Sequence, residues 1–203
     1  IYGSAFAFTN LESVVIPNTI TSIESSAFNN CLNLTSVTIP ASVKVIGKYA
    51  FDSCTSLAEV NILDGVTAIG DGAFINCTAL ENVVIPNSVT SLGEGAFQEC
   101  TALKSVTIGS GVTTIGGWAF RGCTDLTTIN IPDGVTRIGQ YIFSNCTSLK
   151  TLTIPKSVTV IGFFAFAECG LENIYYQGSS AEWSSVEKGK YGKVHPDYED
   201  DIA

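Results

Sequence analysis

The stretch from Ala73 to Gly95 reads AFINCTALENVVIPNSVTSLGEG, and its cysteine, Cys77, is one of seven in the 203-residue chain. The other six, Cys31, Cys54, Cys100, Cys123, Cys146 and Cys169, fall on the same 23-residue interval. Phe28, Phe51, Phe74, Phe97, Phe120, Phe143 and Phe166 keep that interval, as do the leucines from Leu34 to Leu149. A fixed period of this length marks a stacked solenoid, in which one supersecondary unit repeats and covers its neighbour's apolar face.

Inside the unit each apolar position has a meaning. Val83 and Ile85 alternate with period two between Leu80 and Pro86, which predicts a short strand with both side chains on one side. Pro86-Asn87-Ser88 turns the chain, as Asp64-Gly65 and Asp133-Gly134 do in other copies. Val89 and Leu92 then supply a second inward segment on the opposite wall. Gly93, with Gly47, Gly70, Gly116, Gly139 and Gly162, suits a positive φ or a close backbone approach. The run from Gly95 to Cys100 is too short for more than a helical turn.

The fold expected is therefore a repeat solenoid, mostly β with a short helical turn in each 23-residue coil, about seven coils long. One coil alone is unstable, since ordering its backbone costs roughly 1–2 kcal/mol per residue. Its inward side chains return at most about 1.5–3 kcal/mol each. Stacking at about 4.8 Å per strand adds inter-coil hydrogen bonds and predicts a rod or arc about 35 Å long.

The ends depart from the pattern. Leu11, Val14, Ile16 and Pro17 keep register, but Ser4-Ala5-Phe6 is one residue out of phase with Ser26-Ala27-Phe28, so the first coil is partial. After Cys169 the leucine comes one place early, as Leu171, and the chain runs on through Ile174-Tyr175-Tyr176-Gln177-Gly178. Ser179 and Glu182 have the spacing of a capping box before a short helix carrying Trp183 and Val186. The division expected is a solenoid over residues 1–170 and a C-terminal cap with an acidic tail over 171–203, with Trp183 as the lid over the last layer.

Composition excludes several function classes. With a net charge of −9 and ten Lys and Arg scattered along the chain, there is no basic stripe for nucleic acid. No apolar run approaches the ~20 residues of a membrane-spanning helix, so no membrane insertion is expected. The chain has no methionine and begins inside the repeat pattern, which reads as a piece of a longer precursor.

The unit resembles the BspA-like leucine-rich repeats, also described as the treponemal type, over about residues 4 to 173. The tail from Leu171 to Gly178, with Trp183, looks like the terminal cap of such arrays. The resemblance implies a secreted or surface-attached protein of a host-associated bacterium, in some cases an adhesin. Such repeats serve as general binding scaffolds, so the ligand does not follow from the fold.

Candidate chemistry is sparse. In-register coils put neighbouring cysteines about 5 Å apart, but with parallel side chains whose Cβ atoms exceed the usual ~3.8 Å of a disulfide. A ladder of buried free thiols is the expectation. Zinc-ligand spacing never occurs, so no metal or other cofactor is expected. The single histidine, His195, is the one partner available to a catalytic Ser or Cys, and no enzyme is expected. Asp71 and Glu94 share a column and could sit near the ~5 Å of a retaining glycosidase pair, but any column gives that separation, and Lys48 precedes them. The acidic run Asp197 to Asp201 lacks the glycine and alternating oxygens of a calcium loop. Asn33, Asn76 and Asn145 open glycosylation sequons that are by-products of the repeat.

Two surfaces remain. The outward strand positions run from Ser36 and Thr38 through Glu59, Asn61, Asn82, Val84, Thr128 and Asn130 to Thr151 and Thr153, a polar sheet without an aromatic anchor until Tyr175. The column before each Ala-Phe pair ends in Trp118, Tyr141 and Phe164, extended by Phe163, an aromatic stripe suited to sugars or to protein hot spots. The reading is an extracellular, non-enzymatic binding module for a protein or glycan on a host or bacterial surface, with Trp118, Tyr141, Phe163, Phe164 and Tyr175 as binding candidates. The alternative is a structural spacer that presents another domain and has no ligand of its own.

Overall fold

In the computed structural model, which describes residues 1–189, each repeat is one coil with two strand walls and a wall of turns. The first wall holds the odd strands: β1 (Ser13–Val14), β3 (Ser36–Ile39), β5 (Glu59–Ile62), β7 (Asn82–Ile85), β9 (Ser105–Ile108), β11 (Thr128–Ile129), β13 (Thr151–Ile154) and β15 (Asn173–Tyr176). The second holds the even ones: β2 (Ser22–Ile23), β4 (Val45–Ile46), β6 (Ala68–Ile69), β8 (Ser91–Leu92), β10 (Thr114–Ile115), β12 (Arg137–Ile138), β14 (Val160–Ile161) and β16 (Glu187–Lys188). Every ladder is parallel, and most join residues 23 apart, such as Val37 with Val60. The coils are numbered one to eight from the N-terminus, and the eighth is built by the cap.

The strand alternation matches the sequence. Val83 and Ile85 are buried while Asn82 and Val84 face solvent. The phenylalanines stack face to face through the core, with Phe28 and Phe51 5.1 Å apart at 5°. Phe6 joins this stack at 5.2 Å from Phe28, so the out-of-phase first coil still feeds the same column.

The third wall differs from the helical turn expected. Alternate amides close tight turns within the coil, as Asn29 N does to Ser26 O at 3.0 Å. The amides between them donate to the next coil, as Phe28 N does to Ala50 O at 2.7 Å. Residues such as Ser26 (φ 58°) and Asn30 (φ 57°) enter the left-handed region, which keeps a helix from propagating. The only helix among the described residues is α1 (Ser180–Ser185) in the cap.

The glycine column is explained by close approach alone. A Cβ on Gly47 would lie 2.6 Å from the carbonyl carbon of Glu24 in the preceding coil. Positive φ instead belongs to the column two residues on, where Gly95 (φ 59°) aligns with Trp118 (φ 58°).

Pairing length on the first wall follows the residue after the strand. Leu63, Gly109 and Gln177 each donate an amide to the isoleucine carbonyl one coil back, and there the ladders reach four residue pairs. Proline has no N–H to give. Pro40, Pro86 and Pro132 accordingly end ladders of two, one and two pairs, and before Pro155 strands β11 and β13 do not pair.

The cap completes the stack. β15 pairs with β13 in a register of 22 residues, the shift signalled by the early Leu171, and β16 pairs with β14. Between them α1 carries the expected capping box, Ser179 N donating to Glu182 Oε2 at 2.6 Å and Glu182 N to Ser179 Oγ at 3.2 Å. Trp183 packs on Tyr176 at 5.1 Å between ring centres, and Val186 is buried against the core.

Candidate binding surfaces

The cysteine ladder is structural. All seven thiols are free, six of them buried, with Cys169 half-buried at the last layer. Each inner thiol donates to the phenylalanine carbonyl of the coil before, as Cys100 Sγ does to Phe74 O at 3.1 Å. In the first coil Thr9 Oγ1 takes this place, bonding Phe6 O at 2.8 Å. Burial away from water is the main reason the thiols of Cys54 and Cys100 are pushed up to about 12, and it raises Cys77 and Cys123 as well. A neutral, hydrogen-bonded thiol is neither nucleophile nor metal ligand.

The carboxylate column is committed to packing. Asp71 Oδ2 faces Lys48 Nζ at 3.4 Å while its Oδ1 accepts the Glu94 amide at 3.0 Å. Similar exposed pairs link Glu81 with Lys104 and Glu99 with Arg121 one coil apart. Among the described residues no group of three or more His, Cys, Asp or Glu is placed to hold a metal ion. No helix among them is long and apolar enough to cross a membrane. His195 and the run Asp197 to Asp201 lie outside the described residues.

The outward strand face is polar and exposed, interrupted by Val84 at 63% exposure. Tyr175 stands on this face, 58% exposed in β15 and level with Thr153. It is on a different wall from the other binding candidates.

Those four are together. Trp118, Tyr141 and Phe164 occupy consecutive coils of the turn wall, all half-buried and all at positive φ. Ser26, Gly72 and Gly95 share the conformation, so it belongs to the scaffold; Tyr49 carries a ring there too, and what distinguishes the fifth to seventh coils is that their rings follow one another without a gap. Trp118 stacks on Tyr141 at 5.8 Å and 7°, Tyr141 meets Phe164 at 5.2 Å and 38°, and Phe163 stands across Phe164 at 3.9 Å and 63°. Trp118 and Tyr141 turn one face on each other, while Phe163 meets Tyr141 and Phe164 edge to face. Further back Tyr49 lays its ring over Gly72, where no side chain blocks it.

Parallel coils of 23 residues, an inward Phe-Cys-Leu core and a wall of tight turns match the model of the BspA type leucine rich repeat region over residues 1–126 and 67–186. The chain belongs to that family. Three solved leucine-rich neighbours frame the likeness. A leucine-rich repeat protein of T. pallidum is 30% identical with a TM-score of 0.73, the match covering 86% of this chain and 81% of that one. A leucine-rich repeat protein from Bacteroides ovatus is 35% identical at TM-score 0.71, covering 76% of this chain and 40% of that one. A leucine-rich cell surface protein from Faecalibacterium prausnitzii is 32% identical at TM-score 0.65, covering 87% and 56%. The chain thus spans about half the length of the latter two. Among curated proteins none matches.

Proposed function

We propose that this BspA-type chain is a non-enzymatic binding module of a bacterial surface or secreted protein, adhering through the ridge of Trp118, Tyr141, Phe163 and Phe164. The observation that carries the reading is the clustering of four half-buried rings on three consecutive coils of the turn wall, where the other exposed apolar side chains stand apart from one another. Clustered aromatics gain far more on desolvation than the short hydroxyls and amides of the strand face. A protein partner is favoured over a glycan, because sugars stack on open ring faces and Trp118 and Tyr141 each spend one face on the other. Tyr175 is an outlying contact at the end of the strand face. The cell-surface description of the F. prausnitzii neighbour supports an extracellular setting.

The test is a panel of extracellular-matrix proteins and glycans presented to the fragment and four variants. Phe163→Gln copies the residue that Gln140 supplies in the preceding coil, so it removes a ring while keeping a repeat-compatible side chain. It and Trp118→Ala should weaken a retained partner at least about tenfold, given ~2 kcal/mol for an aromatic hot spot. Thr128→Ala and Thr151→Ala should leave it unchanged. Affinity lost only in the threonine variants moves the site to the strand face, and a panel without any binder favours the spacer.

A further inference from the structure

The sixth coil, residues 127–149, is bonded to its neighbours differently from the rest. On the second wall the ladder β2-β4-β6-β8-β10 stops, and β12 begins a separate sheet. Earlier coils close this wall with bonds such as Thr90 N to Thr67 O at 2.9 Å and Gly93 N to Ile69 O at 2.8 Å. Among the described residues Thr136 N makes no such bond to Thr113 O, nor Gly139 N to Ile115 O. The opposite wall parts on the other side of the same coil. There β11 and β13 are unpaired, and Lys150 N lacks the bond to Thr127 O that Lys104 N makes to Glu81 O at 2.7 Å.

The causes are in the side chains. Pro132 and Pro155 end consecutive coils, so two successive amides are missing from the first wall. The Asn130 side chain substitutes for backbone, its Nδ2 donating to Ile108 O at 2.8 Å and its Oδ1 accepting Ile108 N at 2.7 Å. Beside it a cleft of about 300 Å³ opens between Ser110 and Pro132-Asp133-Gly134. Ile142 stands in the column that is alanine in the coils on both sides, Ala119 and Ala165, and is buried there. The phenylalanine stack, which widens along the chain from 5.1 Å between Phe28 and Phe51 to 5.7 Å between Phe97 and Phe120, is wider still on both sides of this coil, at 5.9 Å between Phe120 and Phe143 and 6.1 Å between Phe143 and Phe166.

Only the turn wall is continuous across both boundaries of the coil, through Trp118 N to Gln140 O at 2.9 Å and Tyr141 N to Phe163 O at 3.0 Å; the first wall stays paired to the fifth coil by β11 with β9, and the second to the seventh by β12 with β14. The Trp118–Tyr141–Phe164 rings cross the same three coils. We propose that the sixth coil is a compliant joint between the N-terminal five coils and the capped C-terminal end, held shut on its turn wall by the Trp118–Tyr141–Phe164 rings. The joint loosens one strand wall at each of its two boundaries and keeps its turn wall. It stands whether or not those rings also bind a partner.

Residue-resolved amide hydrogen exchange on the intact chain tests it. Thr136, Gly139 and Lys150 should exchange at least about tenfold faster than their counterparts Thr90, Gly93 and Lys104, the effect of one missing hydrogen bond on local opening. Pro132→Leu, which restores the amide that Leu63 supplies in its coil, combined with Ile142→Ala, should slow the three toward their counterparts. Tyr141→Ala should speed them further. Protection of the three amides equal to that of their counterparts in the unmodified chain overturns the joint. So does faster exchange in Tyr141→Ala that spreads evenly over all coils, which would mark a general loss of stability.

Discussion

Gly93 and Gly95 stand two residues apart for different reasons, and an alanine at each separates them. A Cβ on Gly93 would press on Asp71 N, lie 2.5 Å from Gly70 C and 2.7 Å from Asp71 Cα, all of it backbone in the coil before. Carbon atoms need about 3.5–4.0 Å, so the two coils must part by roughly 1 Å. That stretches the bonds Gly93 N to Ile69 O and Gly72 N to Glu94 O, which cross the same gap on either side. Overpacking costs about 1–3 kcal/mol and each weakened bond about 1, which puts Gly93→Ala near 3–5 kcal/mol. An added Cβ on Gly95 meets no backbone of a neighbouring coil, only its own coil's Gln98, with Oε1 at 3.1 Å and Cβ at 3.6 Å, and its φ of 59° is one that Ser26 and Tyr49 adopt in the same column. Gly95→Ala should cost only the left-handed penalty of about 1–2 kcal/mol. The gain from stiffening the unfolded chain is common to both substitutions and cancels in the comparison. Urea unfolding followed by circular dichroism gives the two midpoints. Equal losses, or a larger loss at Gly95, would refute the close-approach account of this column.

The remaining expectations concern the thiols and the cap. Because burial raises the folded-state thiols of Cys54 and Cys100 from 9.0 to about 12, the unfolded chain ionises first as pH rises. Their contribution to stability is complete below about pH 9 and is lost between 9 and 12, at up to about 1.36 kcal/mol per thiol per pH unit, so alkaline unfolding should be steep. A cysteine-free chain of unchanged alkaline midpoint would contradict this, and thiol reagents at neutral pH should label Cys169 well before the six buried ones. Truncation after Cys169 removes β15, α1 and β16 and uncovers the layer of Phe166 and Ile161, so the melting temperature should fall by about 2–4 °C for each kcal/mol of burial lost. An unchanged melting temperature would show that residues 170–203 do not cap the stack.

Much of this fold is legible in the sequence because a solenoid is a one-dimensional object. Once Cys31 to Cys169 set the period, each residue's neighbours are the residues one period away, and Val83, Ile85 and Leu92 can be assigned inward without any long-range guess. What escapes is the path of the backbone between inward positions. The turn wall has the length of a helical turn, and only the left-handed residues at its alternate corners make it a run of turns that share amides with the next coil. No side-chain type announces the first of those corners, since Ser26, Tyr49, Gly95 and Trp118 all occupy it, whereas the second is marked by Asn30, Asn76, Gly122 and Asn145.

The candidate surface was legible as a column of rings, but their mutual orientation was not. Trp118, Tyr141 and Phe164 are one period apart, which brings them into contact, yet stacking at 5.8 Å takes up one face each of Trp118 and Tyr141 that a sugar would need. The features that set the sixth coil apart were all present as departures from consensus: Pro132 followed by Pro155, asparagine at 130, isoleucine at 142 among alanines. Each is unremarkable alone, because Pro86 shortens its ladder to one pair without opening the second wall. Their concentration in one coil is what matters. Two missing amides remove bonds from the first wall, and a larger buried side chain spreads the core behind it. A repeat protein reports its exceptions in the same way as its rule, by comparing each position with its counterpart one coil away.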